Sequence, residues 1–180
     1  MTKKALCVGI NNYPFGTDND LKGCVNDANN WANILKNNFE FNSVTRLLDA
    51  DATKARIIEE LKTLLKGAKA NDTLVFTNAS HGTYVADTDG DEPNYDEAIC
   101  PYDTDSNLLL DDELRELFAD IPKKVNLTVI SDSCHSGSVT RLFPGQYQRS
   151  RQLPPSVWGG RSLTPAQLNK VRSQEKFPES

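Results

Sequence analysis

The sequence has few of the features that mark metal-binding, secreted or membrane-spanning proteins. Its four cysteines, Cys7, Cys24, Cys100 and Cys134, form no C-x-x-C pair, which argues against a zinc ribbon or a thioredoxin-type motif. A disulfide framework is not expected in a cytosolic chain of this size. No apolar run approaches the ~20 residues needed to cross a bilayer, and the run Ala5–Ile10 is too short for a signal peptide. We therefore expect a cytoplasmic protein with no membrane partner.

Positive charge is absent from a long central part of the sequence. Residues 70–114 contain no Lys or Arg, whereas residues 87–112 contain ten carboxylates. From Arg141 onward the balance reverses, with seven basic and two acidic residues. The formal net charge of -5 argues against a general nucleic-acid-binding role. The sequence thus predicts an acidic middle and a basic tail, with no nucleic-acid partner.

Strand and helix patterns alternate along the first three quarters of the chain. Short apolar runs predict strands at Ala5–Ile10, Ser43–Leu48, Thr73–Thr77 and Lys124–Ser131, and the first and third of these should be buried. Apolar residues at helical spacing predict helices between Leu21 and Phe39, between the candidate caps Asp51 or Thr53 and Gly67, and around Asp112–Phe118 after a long acidic loop. This alternation predicts an α/β fold with a mainly parallel sheet flanked by helices.

The pattern ends near residue 142, where Pro, Gln, Ser, Gly and Arg become dominant. We therefore predict one domain at residues 1–142 and a basic linker or tail at residues 143–180.

Two residues with catalytic chemistry follow two of the predicted strands. His81 comes after the third strand and Cys134 after the fourth. Adjacent parallel strands lie roughly 4.8 Å apart, so the two side chains can face one another at the carboxyl edge of the sheet. An imidazole is the natural base for a thiol near neutral pH. His135 adjoins Cys134 and should point to the opposite face, which makes it a poor partner.

Gly82 leaves room for a substrate backbone, and N–H groups near Gly82 and Cys134 fit an oxyanion hole. From spacing alone a structural role remains open: a small core residue for Cys134 and a polar surface residue for His81.

These residues lie in motifs that resemble the caspase-like cysteine peptidases (peptidase C14), closest to the metacaspases and their bacterial relatives, the orthocaspases. The resemblance covers roughly residues 4–142 and rests on Ser80-His81-Gly82, Asp132-Ser133-Cys134-His135-Ser136-Gly137, the opening Ala5-Leu6-Cys7-Val8-Gly9-Ile10-Asn11-Asn12-Tyr13, Leu21-Lys22-Gly23-Cys24-Val25-Asn26-Asp27-Ala28, and Leu110-Asp111-Asp112-Glu113-Leu114. It implies a caspase–haemoglobinase-like fold, a p20-type catalytic subunit, and a cysteine endopeptidase in which Cys134 and His81 form a dyad with a thioester acyl-enzyme.

The resemblance also implies cleavage after Arg or Lys, with Asp27 and Asp132 in the S1 pocket. A solvated helix position for Asp27 and a turn or cap role for Asp132 are the alternatives. No cofactor is required for the chemistry. Calcium as an activator is implied through Asp96, Asp111 and Asp112, and a solvated acidic loop explains these residues equally well.

The chain departs from the family pattern at two motifs. Ala79-Ser80 stands where the family usually has Ser-Gly, and Thr140-Arg141 stands where it often has an acid. The first departure removes a possible Ser contact to the substrate, and the second weakens the metal assignment.

The resemblance implies a further partner, a small (p10-type) subunit, for which no strand pattern is evident after residue 142. A catalytically silent caspase-like interaction module that needs a separate small subunit is therefore the alternative. A nucleotide-binding domain is disfavoured, because Gly9-Ile10-Asn11-Asn12-Tyr13 matches neither G-x-G-x-x-G nor a P-loop. The family commonly processes itself where the basic tail lies, and the candidate cleavage sites here are Arg141, Arg149, Arg151, Arg161, Lys170, Arg172 and Lys176.

Overall fold

A computed structural model of the chain describes residues 1–86, 95–104 and 107–133. The elements in chain order are β1 (Lys3–Gly9), α1 (Cys24–Asn38), β2 (Ser43–Leu48), α2 (Lys54–Leu65), β3 (Thr73–Ala79), β4 (Gly82–Ala86), β5 (Tyr95–Ile99), β6 (Leu109–Leu110), α3 (Asp111–Ala119) and β7 (Asn126–Asp132). Short 3-10 helices lie at Thr17–Asn19 and Asp49–Asp51.

Four parallel strands form the main sheet, in the order β2-β1-β3-β7. Helix α1 packs on one face, over a cluster of Ala, Cys, Leu, Phe and Val side chains. Helix α2 packs on the other face, over a larger apolar cluster that partly buried side chains of α3 join. The α/β class with a mainly parallel sheet is therefore confirmed. None of the described helices is both long and apolar enough to span a bilayer.

Local signals place the ends of the first two helices. Gly23 takes a positive φ of 112° directly before α1, so this helix begins three residues later than the predicted start at Leu21. The Thr53 side chain accepts a hydrogen bond from the Arg56 backbone N–H and caps α2. Gly67, at φ 69°, follows the end of α2, as the sequence predicted.

The acidic segment is not a simple loop, and that prediction was wrong. Strands β4, β5 and β6 form a second, antiparallel sheet. The described residues that it buries are small or apolar and lie on both of its faces: Thr83 pairs with Ala98, and Ile99 pairs with Leu109. The carboxylates dominate the composition of this segment, so the alternation of buried and exposed positions that defines its strands is weak in the sequence.

Candidate active site

The carboxyl ends of the parallel strands meet at one edge of the main sheet. The register pairs Ala79 of β3 with Asp132 of β7, and Gly9 of β1 with Ala79. His81 lies two residues beyond the end of β3, and Ser133 directly follows β7. The two strands that precede the predicted dyad therefore end side by side, as expected. Cys134 itself lies outside the described residues.

His81 is held from several directions and is only 5% exposed. Its ring Nε2 lies 2.7 Å from the backbone carbonyl oxygen of Asn19. A carbonyl oxygen only accepts hydrogen bonds, so Nε2 carries the hydrogen and, in the neutral ring, Nδ1 keeps its lone pair. The His81 backbone N–H donates to the Tyr13 hydroxyl at 3.1 Å, and its carbonyl accepts from the Cys100 N–H at 3.0 Å.

Tyr13 joins the turn after β1 to the histidine. Its hydroxyl donates to the Cys100 carbonyl at 3.0 Å, and its ring lies 5.0 Å, centroid to centroid, from the ring of His81. The Tyr13 ring also stacks on the ring of Phe15, at 5.1 Å between centroids. Burial raises the pKa of the Tyr13 phenol well above its ordinary value, so the hydroxyl keeps its proton and serves as both donor and acceptor.

A hydrogen-bonded cluster links the ends of β3 and β7. The Asn78 side-chain Nδ2 donates to Ser80 Oγ at 2.9 Å and to Ser133 Oγ at 2.7 Å. Ser80 Oγ in turn donates to the His81 carbonyl at 2.9 Å. Ser80 stands at one of the two positions where this chain departs from the family's Ser-Gly pair. Its hydroxyl thus belongs to a tie between the histidine-bearing strand and the residue before Cys134.

Asp27 and Asp132 line the same pocket, a cavity of about 150 Å³ between α1, β3 and β7. Trp31, Ile34 and Ile130 give it apolar walls. On α1, Asp27, Trp31 and Ile34 share one helical face, since they are spaced four and three residues apart. Among the residues that the structure describes, none that lines the pocket is basic. The arrangement provides two carboxylates beside an apolar surface, which is the chemistry that a cationic side chain needs.

Gly82, predicted to contact substrate, is the first residue of β4 and is buried opposite Ile99. It therefore lies next to His81 at the same edge of the main sheet. Ala79, which replaces the family's Ser two positions before His81, is 4% exposed and lines the pocket with Asp27 and Asp132. The surface that it offers there is a methyl group without a hydroxyl.

The three acidic residues proposed to bind calcium occupy neighbouring elements. Asp111 and Asp112 open α3, and Asp96 lies on β5, although its side chain is outside the described part. Because Ala98 pairs with Leu110 in antiparallel register, Asp96 lies on the stretch of β5 that approaches the start of α3. Asp112 forms an ion pair with Arg115, and the buried Asp111 Oδ1 has no hydrogen-bond partner among the described residues. No cluster of three or more potential metal ligands occurs in that part of the chain.

The residues that hold His81 and α1 in place were not predicted from the sequence. Asn11 accepts from the Val25 N–H through its side chain and donates its own N–H to the Asp49 carboxylate at 2.7 Å. The Asp20 carboxylate accepts from the Tyr13 N–H at 3.1 Å. A signal for two of them was present, because Asn11 and Tyr13 belong to the opening motif of the family resemblance, but the motif does not show which contacts they make.

The sequence is similar to those of known proteins. Residues 3–143 match the family model of the metacaspase, peptidase C14 domain. Metacaspase-1 of Scheffersomyces stipitis is 39% identical over 151 residues, which cover 78% of this chain and 37% of that protein. Metacaspase-7 of Arabidopsis thaliana is 39% identical over 165 residues, covering 87% and 40%. The chain thus spans well under half the length of these curated relatives.

A solved structure shows the same fold. The crystal structure of a Geobacter sulfurreducens protein superposes with a TM-score of 0.73 at 30% identity, covering 99% of this chain and 68% of the other. Together, the family match over residues 3–143 and the curated relatives near 39% identity show that this chain belongs to the metacaspase family of C14 peptidases.

Proposed function

We propose that this chain is the catalytic part of a cysteine endopeptidase that cleaves after Arg or Lys, with Cys134 as nucleophile and His81 as its base. The observation that carries the proposal is the hydrogen bond from His81 Nε2 to the Asn19 carbonyl. This bond fixes the tautomer in which Nδ1 can accept a proton. Ser133, the residue before Cys134, is tied by Asn78 to the end of the strand that carries His81, which supports their proximity.

The chemistry follows from these roles. His81 Nδ1 takes the thiol proton of Cys134, and the thiolate attacks the scissile carbonyl carbon. Backbone N–H groups near Gly82 and Cys134 stabilise the oxyanion that forms. The bond to the leaving nitrogen breaks as the imidazolium returns the proton to that nitrogen, which leaves a thioester. Water then attacks the thioester, releasing the new carboxylate and the free thiol.

The pocket between Asp27 and Asp132 is proposed as the S1 site. Two carboxylates suit the planar guanidinium of Arg and also accept the ammonium of Lys. An Asp side chain at P1 would bring a third negative charge into the pocket, where like charges repel. The same preference makes the basic tail at residues 143–180 a candidate substrate for self-processing.

Two partners complete the proposal. Strand β7 ends the main sheet in the described part of the chain, yet Thr128 and Val129 are both exposed on it. Parallel strands are normally covered on both faces, so we propose that a small, p10-type subunit packs there. Calcium is proposed as an activator held by Asp96, Asp111 and Asp112, with no part in the bond-breaking steps.

Peptide turnover tests the central proposal. Fluorogenic peptides with Arg, Lys or Asp at P1 are compared on the wild type and on Cys134→Ala, His81→Ala and His135→Ala, with and without calcium. We expect the wild type to cleave only the Arg and Lys peptides. Cys134→Ala and His81→Ala should lose this activity, and His135→Ala should keep it. Equal turnover of Arg and Asp peptides would refute the specificity.

A covalent probe separates the enzyme from the silent module. An acyloxymethyl ketone carrying Arg should label the wild type and not Cys134→Ala, and Asp27→Asn and Asp132→Asn should each slow the labelling. Wild-type protein that stays unlabelled while it is folded and bound to a small subunit would favour the interaction module.

A further inference from the structure

The hydrogen bonds around Tyr13 form a closed ring that passes through His81. Tyr13 accepts from the His81 backbone N–H, and the His81 side chain donates to the Asn19 carbonyl. Asn19 is bonded covalently to Asp20, and the Asp20 carboxylate accepts from the Tyr13 backbone N–H. Each contact in this ring restrains the next one, so loss of any one contact weakens the restraint on the His81 ring.

From this ring we infer that Tyr13 and Asp20 are positioning residues, which act on the reaction by holding the His81 ring in one tautomer and one orientation. This inference rests on the proposed role of His81 as the base. Tyr13 contributes through two groups, since its hydroxyl fixes the histidine backbone and its ring lies against the imidazole. Asp20 contributes indirectly, because it holds the turn that presents the Asn19 carbonyl.

The surroundings of Tyr13 suit this task. Tyr13 is 5% exposed, and its hydroxyl is anchored on its other side by the Cys100 carbonyl. Phe15 stacks on the tyrosine ring, so the ring cannot swing away from the imidazole without losing that packing. A second anchor on the same turn is the hydrogen bond from the Leu21 N–H to the Asn11 carbonyl at 2.7 Å. The Asn19 carbonyl is thus fixed from both sides of the turn.

Imidazole NMR tests the inference without relying on peptidase turnover. The chain has 2 histidines, so ¹⁵N labelling in a His135→Gln background reports on His81 alone. The parent protein should show an Nε2–H tautomer at a pH where the ring is neutral. Tyr13→Phe keeps the ring and removes the hydroxyl, and Asp20→Ala removes the carboxylate, so both should give a mixed or averaged tautomer signal. Asp20→Asn keeps one oxygen acceptor and should restore the parent signal.

Peptide-cleavage kinetics gives a second readout, measured on protein that keeps Cys134. A misplaced base affects the chemical step, so kcat for an Arg peptide should fall about 10- to 100-fold in Tyr13→Phe and Asp20→Ala, with KM little changed. Asp18→Ala, which removes an exposed carboxylate from the same turn, is the matched control and should leave both constants unchanged. Circular dichroism of each variant checks that it is folded. If Tyr13→Phe is not folded, the comparison of Asp20→Ala with Asp20→Asn tests the inference.

The outcomes separate this inference from the proposed function. The inference would be overturned if folded Tyr13→Phe and Asp20→Ala kept the tautomer signal and the kcat of the parent protein. That result would leave the proposed role of His81 as the base intact. Unchanged turnover in His81→Ala would instead overturn the proposed function. A tautomer signal that changes equally in Asp20→Ala and Asp20→Asn would show that charge acts here, and would overturn the hydrogen-bonding role of Asp20.

Discussion

Aspartate side chains hold turns and chain ends around the sheet by accepting hydrogen bonds from backbone N–H groups. Asp49 accepts from Asn11 and Asn12, and Asp103 accepts from Lys54 at the start of α2. Asp72 accepts from Thr2 at 2.5 Å and from Lys69 at 2.9 Å. Composition alone presented these acids as surface charge. Their role depends on partners that lie up to 70 residues away, which no local pattern contains.

Asp72 supports a prediction about pH. The Thr2 and Lys69 N–H groups lower the pKa of its carboxyl below the ordinary value. A lowered pKa in the folded state stabilises the fold above the unfolded-state pKa, which is about 3.9, and this contribution disappears as pH falls through the folded-state pKa. We expect Asp72→Asn to be less stable than the wild type at pH 7 and the difference to shrink as pH approaches 3.

Urea unfolding at several pH values measures that difference. Asp120→Asn, at an exposed position after α3, is the control and should follow the wild type at every pH. A constant gap between the wild type and Asp72→Asn from pH 7 to pH 3 would contradict the assignment.

At the scale of elements, local pattern determined most of the parallel sheet and its helices. Short apolar runs predicted all four parallel strands, and helical spacing with the Thr53 cap and Gly67 predicted α2. The antiparallel sheet was missed, since β6 has two residues and acidic residues dominate the segment that holds its strands. The edge position of His81 followed from its place after the third predicted strand. The hydrogen-bonded ring through Tyr13 did not, because it joins residues 68 apart in the sequence.

The contact between β1 and α1 depends on Gly9. A Cβ atom there would lie 2.8 Å from Ala28 Cβ and would also collide with the Cys24 backbone carbonyl. Overpacking of this kind costs about 1–3 kcal/mol, so Gly9→Ala should lower the free energy of unfolding by that amount. Adding Ala28→Gly should restore only part of it, since the Cys24 contact is to backbone. Chemical denaturation of both variants measures this, and wild-type stability in Gly9→Ala would contradict such close packing.

The tie between β3 and β7 gives a second prediction for elements. Asn78 is 2% exposed and donates to Ser80 and Ser133. Losing its amide removes the hydrogen bonds to Ser80 and Ser133, although Ser80 keeps its bond to the His81 carbonyl. At about 0.5–1.5 kcal/mol for each hydrogen bond, the two together cost about 1–3 kcal/mol. We expect Asn78→Ala to lower the free energy of unfolding by that amount, and Asn42→Ala, at an exposed position, to change it little. Equal stability of the two variants would show that the tie contributes nothing.

At the scale of the whole molecule, the described part of the main sheet has His81 beside the carboxyl ends of its strands and an exposed strand, β7, at one side. The described sheet ends at β7, and the chain spans 37% to 40% of the curated relatives described above. That Asp27 and Asp132 line one pocket was expected from the family resemblance, and their S1 role stays a proposal. The exposure of Thr128 and Val129 could not be predicted from the sequence. It depends on which elements pack against β7 in the described part of the sheet, and the local sequence does not contain that information.

The last prediction concerns the basic tail, whose proposed cleavage sites all lie outside the described residues. A peptidase with Asp27 and Asp132 in its S1 pocket should cut basic segments, and the tail carries seven basic residues from Arg141 onward. A tethered substrate reaches an effective concentration of about millimolar, so self-cleavage should precede attack on other chains. Arg149 and Arg151 are the first candidates, because the Gln and Ser residues around them favour an extended, solvated backbone. Intact-mass spectrometry of the wild type beside Cys134→Ala, with and without calcium, should show a lower mass in the wild type alone, and Arg149→Gln with Arg151→Gln should delay its appearance. A wild-type mass that never falls, in a preparation that turns over an Arg peptide, would show that the tail is not a substrate and that the basic residues serve another contact.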